Sequence, residues 1–272
     1  MASLEHLAGG LSGGFISTLL VHPLDFLKVR FAANEGPALA SGLRPQTGGY
    51  LASSLAIVRQ VGLAGLYQGL VPNLVGNTFA WGLYFHIFNT LKGVLREPES
   101  LLMSPQLSLL TGVVSGVGTL AVTNPIWVAK TRLCLQYEHA SHSTRYRGLA
   151  HVLISILRQD GIRGWYKGFT PGLIGTSHGA IQFMAYEELR RLHSRLTGTS
   201  VQAKLGPLDY ILMASLSKLV AVSSTYPYQV LRTRLQDQHV RYKGVRDVAT
   251  KTYAGEGLRG FYKAGGISMV GN

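Results

Sequence analysis

The stretch of sequence that decides the fold is Val21-His-Pro-Leu-Asp-Phe-Leu-Lys-Val-Arg-Phe31. It returns without gaps as Thr123-Asn-Pro-Ile-Trp-Val-Ala-Lys-Thr-Arg-Leu133 and as Thr225-Tyr-Pro-Tyr-Gln-Val-Leu-Arg-Thr-Arg-Leu235. The prolines of successive copies lie 102 residues apart in both intervals. Self-similarity at a fixed period is the sequence signature of a repeat architecture. The sequence therefore predicts three related units.

A second element follows the proline stretch in each unit. It reads Tyr67-Gln-Gly69, Tyr166-Lys-Gly168 and Tyr262-Lys-Ala264, and each copy is introduced by a Gly-Leu/Ile-X-Gly sequence. Chance recurrence of both elements in the same order is very improbable. Together they divide the chain into repeat 1 (residues 1–95), repeat 2 (residues 96–200) and repeat 3 (residues 201–272).

Each repeat is predicted to hold long membrane helices and a short surface helix. A glycine-rich apolar stretch runs into the proline and its basic residues, as expected of a membrane helix that is kinked or broken at proline. The next segment has helical periodicity but is too short and polar to cross a bilayer, which needs ~20 apolar residues. The predicted odd-numbered spans are Leu7–Val29, Leu107–Ala129 and Ile211–Leu231, the surface helices are Tyr50–Gln60, Tyr146–Gln159 and Tyr242–Ala254, and the even-numbered spans are Asn73–Leu91 and Gly172–Leu189.

Repeat 3 differs from the other two after Lys263. Nine residues follow, Ala264-Gly-Gly-Ile-Ser-Met-Val-Gly-Asn272. As a helix they reach ~14 Å, about half of a ~30 Å hydrocarbon core. The sequence therefore predicts five spans, with the sixth missing.

The composition favours a membrane protein. Apolar residues make up 46% of the chain and charged residues 14%, against ~25% charged residues in soluble domains. The 26 Lys and Arg against 13 Asp and Glu give a net charge of +13, which suits an anionic substrate or an anionic membrane surface. Zinc-ligand spacings, RNA-recognition patterns, dinucleotide fingerprints and nucleophile elbows are absent from the sequence, so we expect no metal site, no nucleic-acid binding and no enzyme activity.

The tripled Pro-X-Asp/Glu-X-X-Lys/Arg pattern and the aromatic-X-Gly element together resemble the mitochondrial carrier family. The acidic position of the pattern is Asp25 in repeat 1, Trp127 in repeat 2 and Gln229 in repeat 3. A tryptophan at this position is similar to the carriers of folate, FAD, NAD and pyrimidine nucleotides. Two further stretches, Trp81-Gly-Leu-Tyr-Phe85 and Gly175-Thr-Ser-His-Gly-Ala-Ile-Gln-Phe-Met-Ala-Tyr186, resemble the folate and FAD members most.

The resemblance implies an all-α membrane protein, a three-fold repeat barrel with five of its six helices present. It implies a multi-pass protein of the mitochondrial inner membrane, monomeric if complete, that transports folate or FAD by alternating access. One alternative is a carrier of NAD or of pyrimidine nucleotides, and another is a truncated form that does not transport and acts at most as a binding protein. The implied partners are a small anionic substrate and membrane lipid, in particular cardiolipin. FAD or folate would then be a substrate, and no resident cofactor is expected.

The resemblance also implies a gate at each side of the membrane. The matrix-gate candidates are Asp25, Lys28, Trp127, Lys130, Gln229, Arg232 and Gln236, and the cytoplasmic-gate candidates are Lys92, Glu187 and Arg190. The expected matrix pairs are Asp25–Lys130, Trp127–Arg232 and Gln229–Lys28. Because a cation–π contact contributes only ~0.5–2 kcal/mol, this gate is expected to close less firmly than three ion pairs would.

Substrate contacts are expected near the middle of the even-numbered spans. The candidates are Gly76, Ala80, Tyr84, Gly175, Thr176, Gly179 and, on the fifth span, Lys218. Alternatives stay open for several residues. Small and aromatic residues in membrane helices also pack against neighbouring helices, Trp127 also fits a headgroup belt, and Lys218 also fits a side chain that reaches the interface. Asp25 and Lys130 also fit a purely structural pair.

Overall fold

The computed structural model describes residues 2–33, 55, 58–59, 62–95, 105–136, 146–198 and 206–263. These residues form helices and turns, with no strand among them, so the expectation of an all-α fold is confirmed. The helices used below are α1 (Ala2–Ala33), α2 (Leu70–Leu95), α3 (Pro105–Cys134), α4 (Leu149–Asp160), α5 (Ile162–Trp165), α6 (Phe169–Gly175), α7 (His178–Thr197), α8 (Pro207–Gln236) and α9 (Val245–Glu256), followed by the 3-10 helix Leu258–Tyr262. The residues on which the missing sixth span was predicted, and most of Tyr50–Gln60, lie outside the described residues.

The three predicted odd-numbered spans correspond to helices α1, α3 and α8. Each of these helices continues through its proline. They are 32, 30 and 30 residues long, so none is broken at Pro23, Pro125 or Pro227. Each extends several residues beyond its predicted C-terminus, because the basic residues after the apolar stretch are still helical. The Lys/Arg-X-Arg sequences are thereby held at fixed angles on the last turns of the helices.

Helix α3 accommodates its polar residues by internal hydrogen bonds. Four hydroxyl groups each donate a hydrogen bond of 2.7–3.1 Å to the carbonyl oxygen four residues earlier. They belong to Thr111, Ser115, Thr123 and Thr131. Such bonds satisfy polar side chains where water is excluded. By length and mean hydropathy alone, one stretch of the described helices is apolar enough to cross a bilayer, Leu110–Cys134.

The surface helices α4 and α9 lie between glycines. Each begins after a glycine, Gly148 or Gly244, and ends at another, Gly161 or Gly257, whose φ of 65° or 62° stops the helix. They therefore begin three residues later than predicted. Both helices turn small apolar sets inward, including Val152 and Ile156 on α4.

The even-numbered span of repeat 2 is divided into helices α6 and α7, whereas the even-numbered span of repeat 1 is the continuous helix α2. The prediction of one helix over Gly172–Leu189 was wrong, because Thr176 and Ser177 form a turn between α6 and α7. Their hydroxyls donate to the carbonyls of Leu173 and Ile174 at 2.7 and 2.6 Å, and so tighten the chain there. An interrupted helix at membrane depth is tolerated where it is covered by protein or lines a water-filled cavity.

Glycines let the helices of different repeats approach each other. A Cβ at Gly76 on α2 would lie 3.2 Å from Ile126 on α3, and one at Gly175 would lie 2.7 Å from the hydroxyl of Tyr228 on α8. Helix α2 thus packs along α3, and α6 and α7 pack along α8. The C-terminal ends of α1, α3 and α8 meet at one end of the assembly, where side chains of the three repeats contact one another.

Candidate functional site

One ion pair joins repeat 1 to repeat 2 at the predicted matrix gate. The Lys130 ammonium lies 3.5 Å from Oδ2 of Asp25. The same ammonium lies 5.6 Å from the centre of the Trp127 ring. The structure therefore brings Asp25, Lys130 and Trp127 together in one cluster, with Lys130 rather than Arg232 over the indole. Their role in gating stays a prediction.

The other two expected pairs are not joined by a hydrogen bond or ion pair between described residues. Arg232 donates to Oδ1 of Asn124 at 3.4 Å, and its side chain lies against Gly168 and Gly172. Lys28 is half-buried on α1. The predicted gate positions thus hold three cations, Lys28, Lys130 and Arg232, against the single carboxylate of Asp25.

Gln236 connects repeat 3 to repeat 2, beneath the predicted gate. Thr131 donates from its hydroxyl to Oε1 of Gln236 at 2.7 Å, and Nε2 of Gln236 donates to the carbonyl of Lys167 at 3.3 Å. Gln236 and Thr131 are both buried. An amide that accepts from one element and donates to another fixes their separation without any charge.

Three buried arginines are functional candidates that the sequence reasoning missed. Arg30, Arg132 and Arg234 are only 3%, 1% and 1% exposed. Arg132 donates to Asp160 at 2.7 Å, and Arg234 donates to Glu256 at 2.8 Å. The available signal was the recurrence of an acid before glycine at the end of each of these two surface helices, Asp160-Gly161 and Glu256-Gly257.

Repeat 1 lacks that acid, because Val61 stands before Gly62. Arg30 turns instead to repeat 2. It donates from Nε to the carbonyl of Cys134 at 3.0 Å and from Nη2 to the carbonyl of Gln136 at 2.9 Å. Carbonyls at a helix C-terminus carry partial negative charge, so they replace the missing carboxylate in part.

The residue before each proline ties its helix to the tyrosine element of the same repeat. His22 Nε2 lies 3.1 Å from the carbonyl of Gln68, Asn124 donates to the carbonyl of Trp165 at 2.7 Å, and Tyr226 donates to the carbonyl of Lys263 at 2.8 Å. Three different side chains thus make similar connections, to the second residue of the tyrosine element in repeats 1 and 3 and to the residue just before that element in repeat 2. No sequence pattern indicates these connections, because His, Asn and Tyr share no simple chemical class.

Asp160 sits on the surface helix α4, between two cations. Arg132 and Lys167 approach its Oδ2 at 2.7 and 2.9 Å. Burial of the carboxyl group opposes its ionisation, but the hydrogen bonds and charges of the two cations outweigh burial and hold the pKa of Asp160 below its ordinary value. The carboxylate is therefore ionised at neutral pH.

Most of the predicted substrate contacts lie where helices touch. Gly76 packs against Ile126 and Trp127, the Tyr84 hydroxyl lies beside Gly112, and Thr176 lies beside Gly116. Gly175 is covered by Tyr228, Ala80 is half-buried, and Gly179 faces open space. Lys218 is half-buried on the face of α8 that also carries Thr225, and the hydroxyl of Thr225 lies 2.9 Å from Nδ1 of His178.

The predicted cytoplasmic gate is not paired in this structure. Between the described residues, Lys92, Glu187 and Arg190 form no ion pair with one another. Near the C-terminus of α7, Arg191 pairs with Glu188 at 2.8 Å, and Nε2 of His193 lies 3.9 Å from Oδ1 of Asp209. The second of these joins the end of α7 to the start of α8. The closed contacts of this structure thus lie at the other end of the helices.

Comparison with known proteins identifies the family of the chain. The family model described as "Mitochondrial carrier protein" matches residues 1–99, 103–196 and 203–272. The chain is 37% identical to folate transporter 1, chloroplastic, of Arabidopsis thaliana, over 98% of this chain and 89% of the relative. It is 35% identical to nicotinamide adenine dinucleotide transporter 2, mitochondrial, of the same plant, over 96% of this chain and 72% of the relative. It is 32% identical to the mitochondrial FAD carrier of Saccharomyces cerevisiae, over 98% of this chain and 90% of the relative.

These matches are transporters, and they extend along almost the whole chain. The tripled proline stretch, the all-α fold and the meeting of three repeats at one end agree with them. The chain belongs to the mitochondrial carrier family, and it is a multi-pass transport protein of the mitochondrial inner membrane.

Proposed function

We propose that this carrier transports folate or FAD, each a flat ring system joined to an anionic group, by alternating access. The observation that carries the proposal is the excess of cations at the predicted matrix gate. Lys28, Lys130 and Arg232 face one carboxylate, Asp25. Ionisable groups at membrane depth are costly unless they pair or line water, so an anionic substrate would supply the charge that the gate lacks.

Aromatic side chains close to these cations favour a flat substrate. The half-buried Trp127 ring lies beside Gly76 of α2, where a glycine leaves room next to the indole. Further along α2, Tyr84 stacks with Phe88 at 6.0 Å. A pteridine or an isoalloxazine would find ring faces here. Folate and FAD are in this proposal the transported substrates and not resident cofactors.

An NAD carrier is the second candidate. It rests on the relative from Arabidopsis thaliana that is named for NAD transport, and on the same chemistry of a flat base joined to phosphates. The cations at the gate serve pyrophosphate and carboxylate equally. The choice between these substrates is therefore a matter for direct measurement.

The test is uptake of labelled folate, FAD and NAD into proteoliposomes that contain the purified chain. We expect uptake of folate or FAD, with NAD competing weakly. Preferred uptake of NAD would replace the first proposal by the second, and uptake of none of the three would overturn both.

Matched tryptophan variants test the role of the aromatic site. Trp127→Leu should raise the KM for the substrate about fivefold or more, because stacking on a ring contributes ~1–3 kcal/mol. Trp127→Phe should keep most of the affinity. Trp81→Leu, on the exposed side of α2, is the control for loss of an indole. Equal effects of Trp127→Leu and Trp81→Leu would remove Trp127 from the site.

A lipid site is supported by a cavity of about 150 Å³ between repeats 2 and 3. Its lining includes Lys167, Arg241 and Tyr242, together with the carboxyl groups of Asp160 and Asp237. Lys167 is paired with Asp160, so Arg241 and the Tyr242 phenol are the groups that suit a phosphate of cardiolipin. Cardiolipin should raise the melting temperature of the detergent-solubilised protein, and Arg241→Gln should reduce that rise. Arg195→Gln, at the exposed end of α7, should leave it unchanged.

A further inference from the structure

The C-terminus of α3 is held by side chains from both other repeats. The carbonyls at a helix C-terminus have no partners within the helix, and those of Cys134, Leu135 and Gln136 belong to residues that are no more than 9% exposed. Arg30 of repeat 1 bonds the first and the third of these carbonyls, as described above. The carbonyl between them, of Leu135, accepts from repeat 3.

That donor is His239, whose Nε2 lies 2.9 Å from the carbonyl of Leu135. The segment carrying His239 is fixed by Asp237, which follows α8 and is 2% exposed. The backbone N–H of Asp237 bonds back to α8, and its Oδ1 accepts from the backbone N–H of His239 at 3.0 Å. The imidazole is therefore aimed at Leu135 by the end of α8 itself.

The contact between His239 and Leu135 lies between repeats 2 and 3, where the predicted gate has no acidic residue. Between repeats 1 and 2, Asp25 and Lys130 form an ion pair. Between repeats 2 and 3, the acidic position holds Trp127, and the contacts described at this end of the helices include hydrogen bonds from Thr131, Gln236, Arg232 and His239. Closure at this interface thus depends on hydrogen bonds.

We propose that His239 is a closing contact of the transport cycle: it holds repeat 3 against repeat 2 when this end is shut and releases Leu135 when the end opens. His239 is a positioning residue and does not touch substrate. The inference rests on the proposed transport by alternating access, but it does not depend on which substrate is carried. Opening would leave a carbonyl without its donor, so the bond stabilises the closed state.

The test measures the distance between repeats 2 and 3 without any substrate. Spin labels are attached at Ile154→Cys on α4 and Ala254→Cys on α9, two exposed positions, in the full chain with Cys134→Ala. Three forms are compared. They are the unchanged chain, the variant His239→Phe, which keeps a flat ring but has no hydrogen-bond donor, and the variant His239→Gln, which restores a donor. His86→Phe, an exposed histidine on α2, is the control. His239→Ala takes the place of His239→Phe if the larger ring prevents folding.

One hydrogen bond contributes ~0.5–1.5 kcal/mol net, so we expect His239→Phe to raise the ratio of open to closed distances about three- to tenfold. His239→Gln should return this ratio towards that of the unchanged chain, and His86→Phe should not alter it. Equal distance distributions for His239→Phe and His86→Phe would overturn the proposal, as would a His239→Gln variant as open as His239→Phe. Failure of every uptake assay would sink the substrate assignment and leave these distances as the measure of the closing contact.

Discussion

Arg234 and Glu256 form an ion pair at 2.8 Å in which the arginine side chain is 1% exposed and the glutamate side chain 14%. The guanidinium also donates to the carbonyl of Ala32 at 3.0 Å and to the hydroxyl of Thr252 at 2.8 Å. Each of its nitrogens therefore has a partner, one of them in repeat 1. This pair holds α8, α9 and the end of α1 in one arrangement.

Glu256→Gln should destabilise the protein markedly. The substitution leaves the buried charge of Arg234 without its counter-charge, and breaking such a pair from one side costs about 3–5 kcal/mol. The melting temperature in detergent is the measurement. Glu188→Gln, which removes the exposed partner of Arg191, is the matched control and should melt like the unchanged chain. Equal melting of the two variants would contradict a structural role for the Arg234 pair.

Asp160 predicts an acid-sensitive contribution to stability. Because the folded-state pKa of Asp160 lies below its ordinary value, its ionised form stabilises the fold above the unfolded-state pKa of ~3.9. This contribution is lost as the pH falls through the folded-state pKa. The stability difference between the unchanged chain and Asp160→Asn should therefore be constant from pH 6 to 8, as about two pH units separate that range from the pKa, and shrink in acid. Unfolding curves at a series of pH values test this. A difference that grows in acid would show the opposite linkage.

Tyr226→Phe should lower stability by about 1 kcal/mol, since it removes the hydroxyl that donates to the carbonyl of Lys263. The ring itself stays packed against Ala32 and Val230. Tyr253→Phe, at a side chain that is 61% exposed, is the control. Urea or thermal unfolding distinguishes the two variants. No difference between them would mean that the carbonyl of Lys263 finds another donor.

Reversing the Asp25–Lys130 pair tests whether it acts as a gate. Asp25→Lys and Lys130→Asp should each slow uptake strongly, since each leaves like charges facing each other across the repeat interface. The double variant should recover part of the rate, because it restores an ion pair of opposite sense. Initial uptake rates in proteoliposomes provide the measurement. Single variants whose losses simply add in the double variant would show that the two residues are not coupled.

Two glycines near the helix interruption should respond differently to alanine. Gly175→Ala places a methyl group 2.7 Å from the Tyr228 hydroxyl, so the helices must separate and the melting temperature should fall. Gly179→Ala meets no atom within 4 Å, and alanine favours the helix over glycine, so the melting temperature should be unchanged or higher. Similar effects of both substitutions would show that Tyr228 moves aside without cost.

The parts of the fold that sequence predicted are those encoded within one repeat. Pro23, Pro125 and Pro227 locate the three long helices, and the glycines that end α4 and α9 set the surface helices. The interruption at Thr176 and Ser177 was missed. It involves hydroxyl bonds along the chain and the Tyr228 ring from repeat 3, which no local periodicity reports.

At the predicted matrix gate, the sequence predicted the Asp25–Lys130 pair, in which both charges are present. It was less informative about the other two expected pairs. Asp25 and Lys130 are brought together because an acid and a base at matching positions attract each other. Trp127 has no comparable preference, and the nearer cation, Lys130, lies over its ring. The arginines Arg132 and Arg234 were readable in principle from the acids that precede Gly161 and Gly257.

Repeat 1 has Val61 where the other two repeats have an acid, and this difference bears on the order in which contacts form while the chain is synthesised. Repeats 2 and 3 neutralise their buried arginines with Asp160 and Glu256, from their own surface helices. Repeat 1 has Val61 at that position, and the described acceptors of Arg30 are the carbonyls of Cys134 and Gln136. These two hydrogen bonds form only after the end of α3 has been made, so the first repeat to leave the ribosome depends on the second to complete this contact.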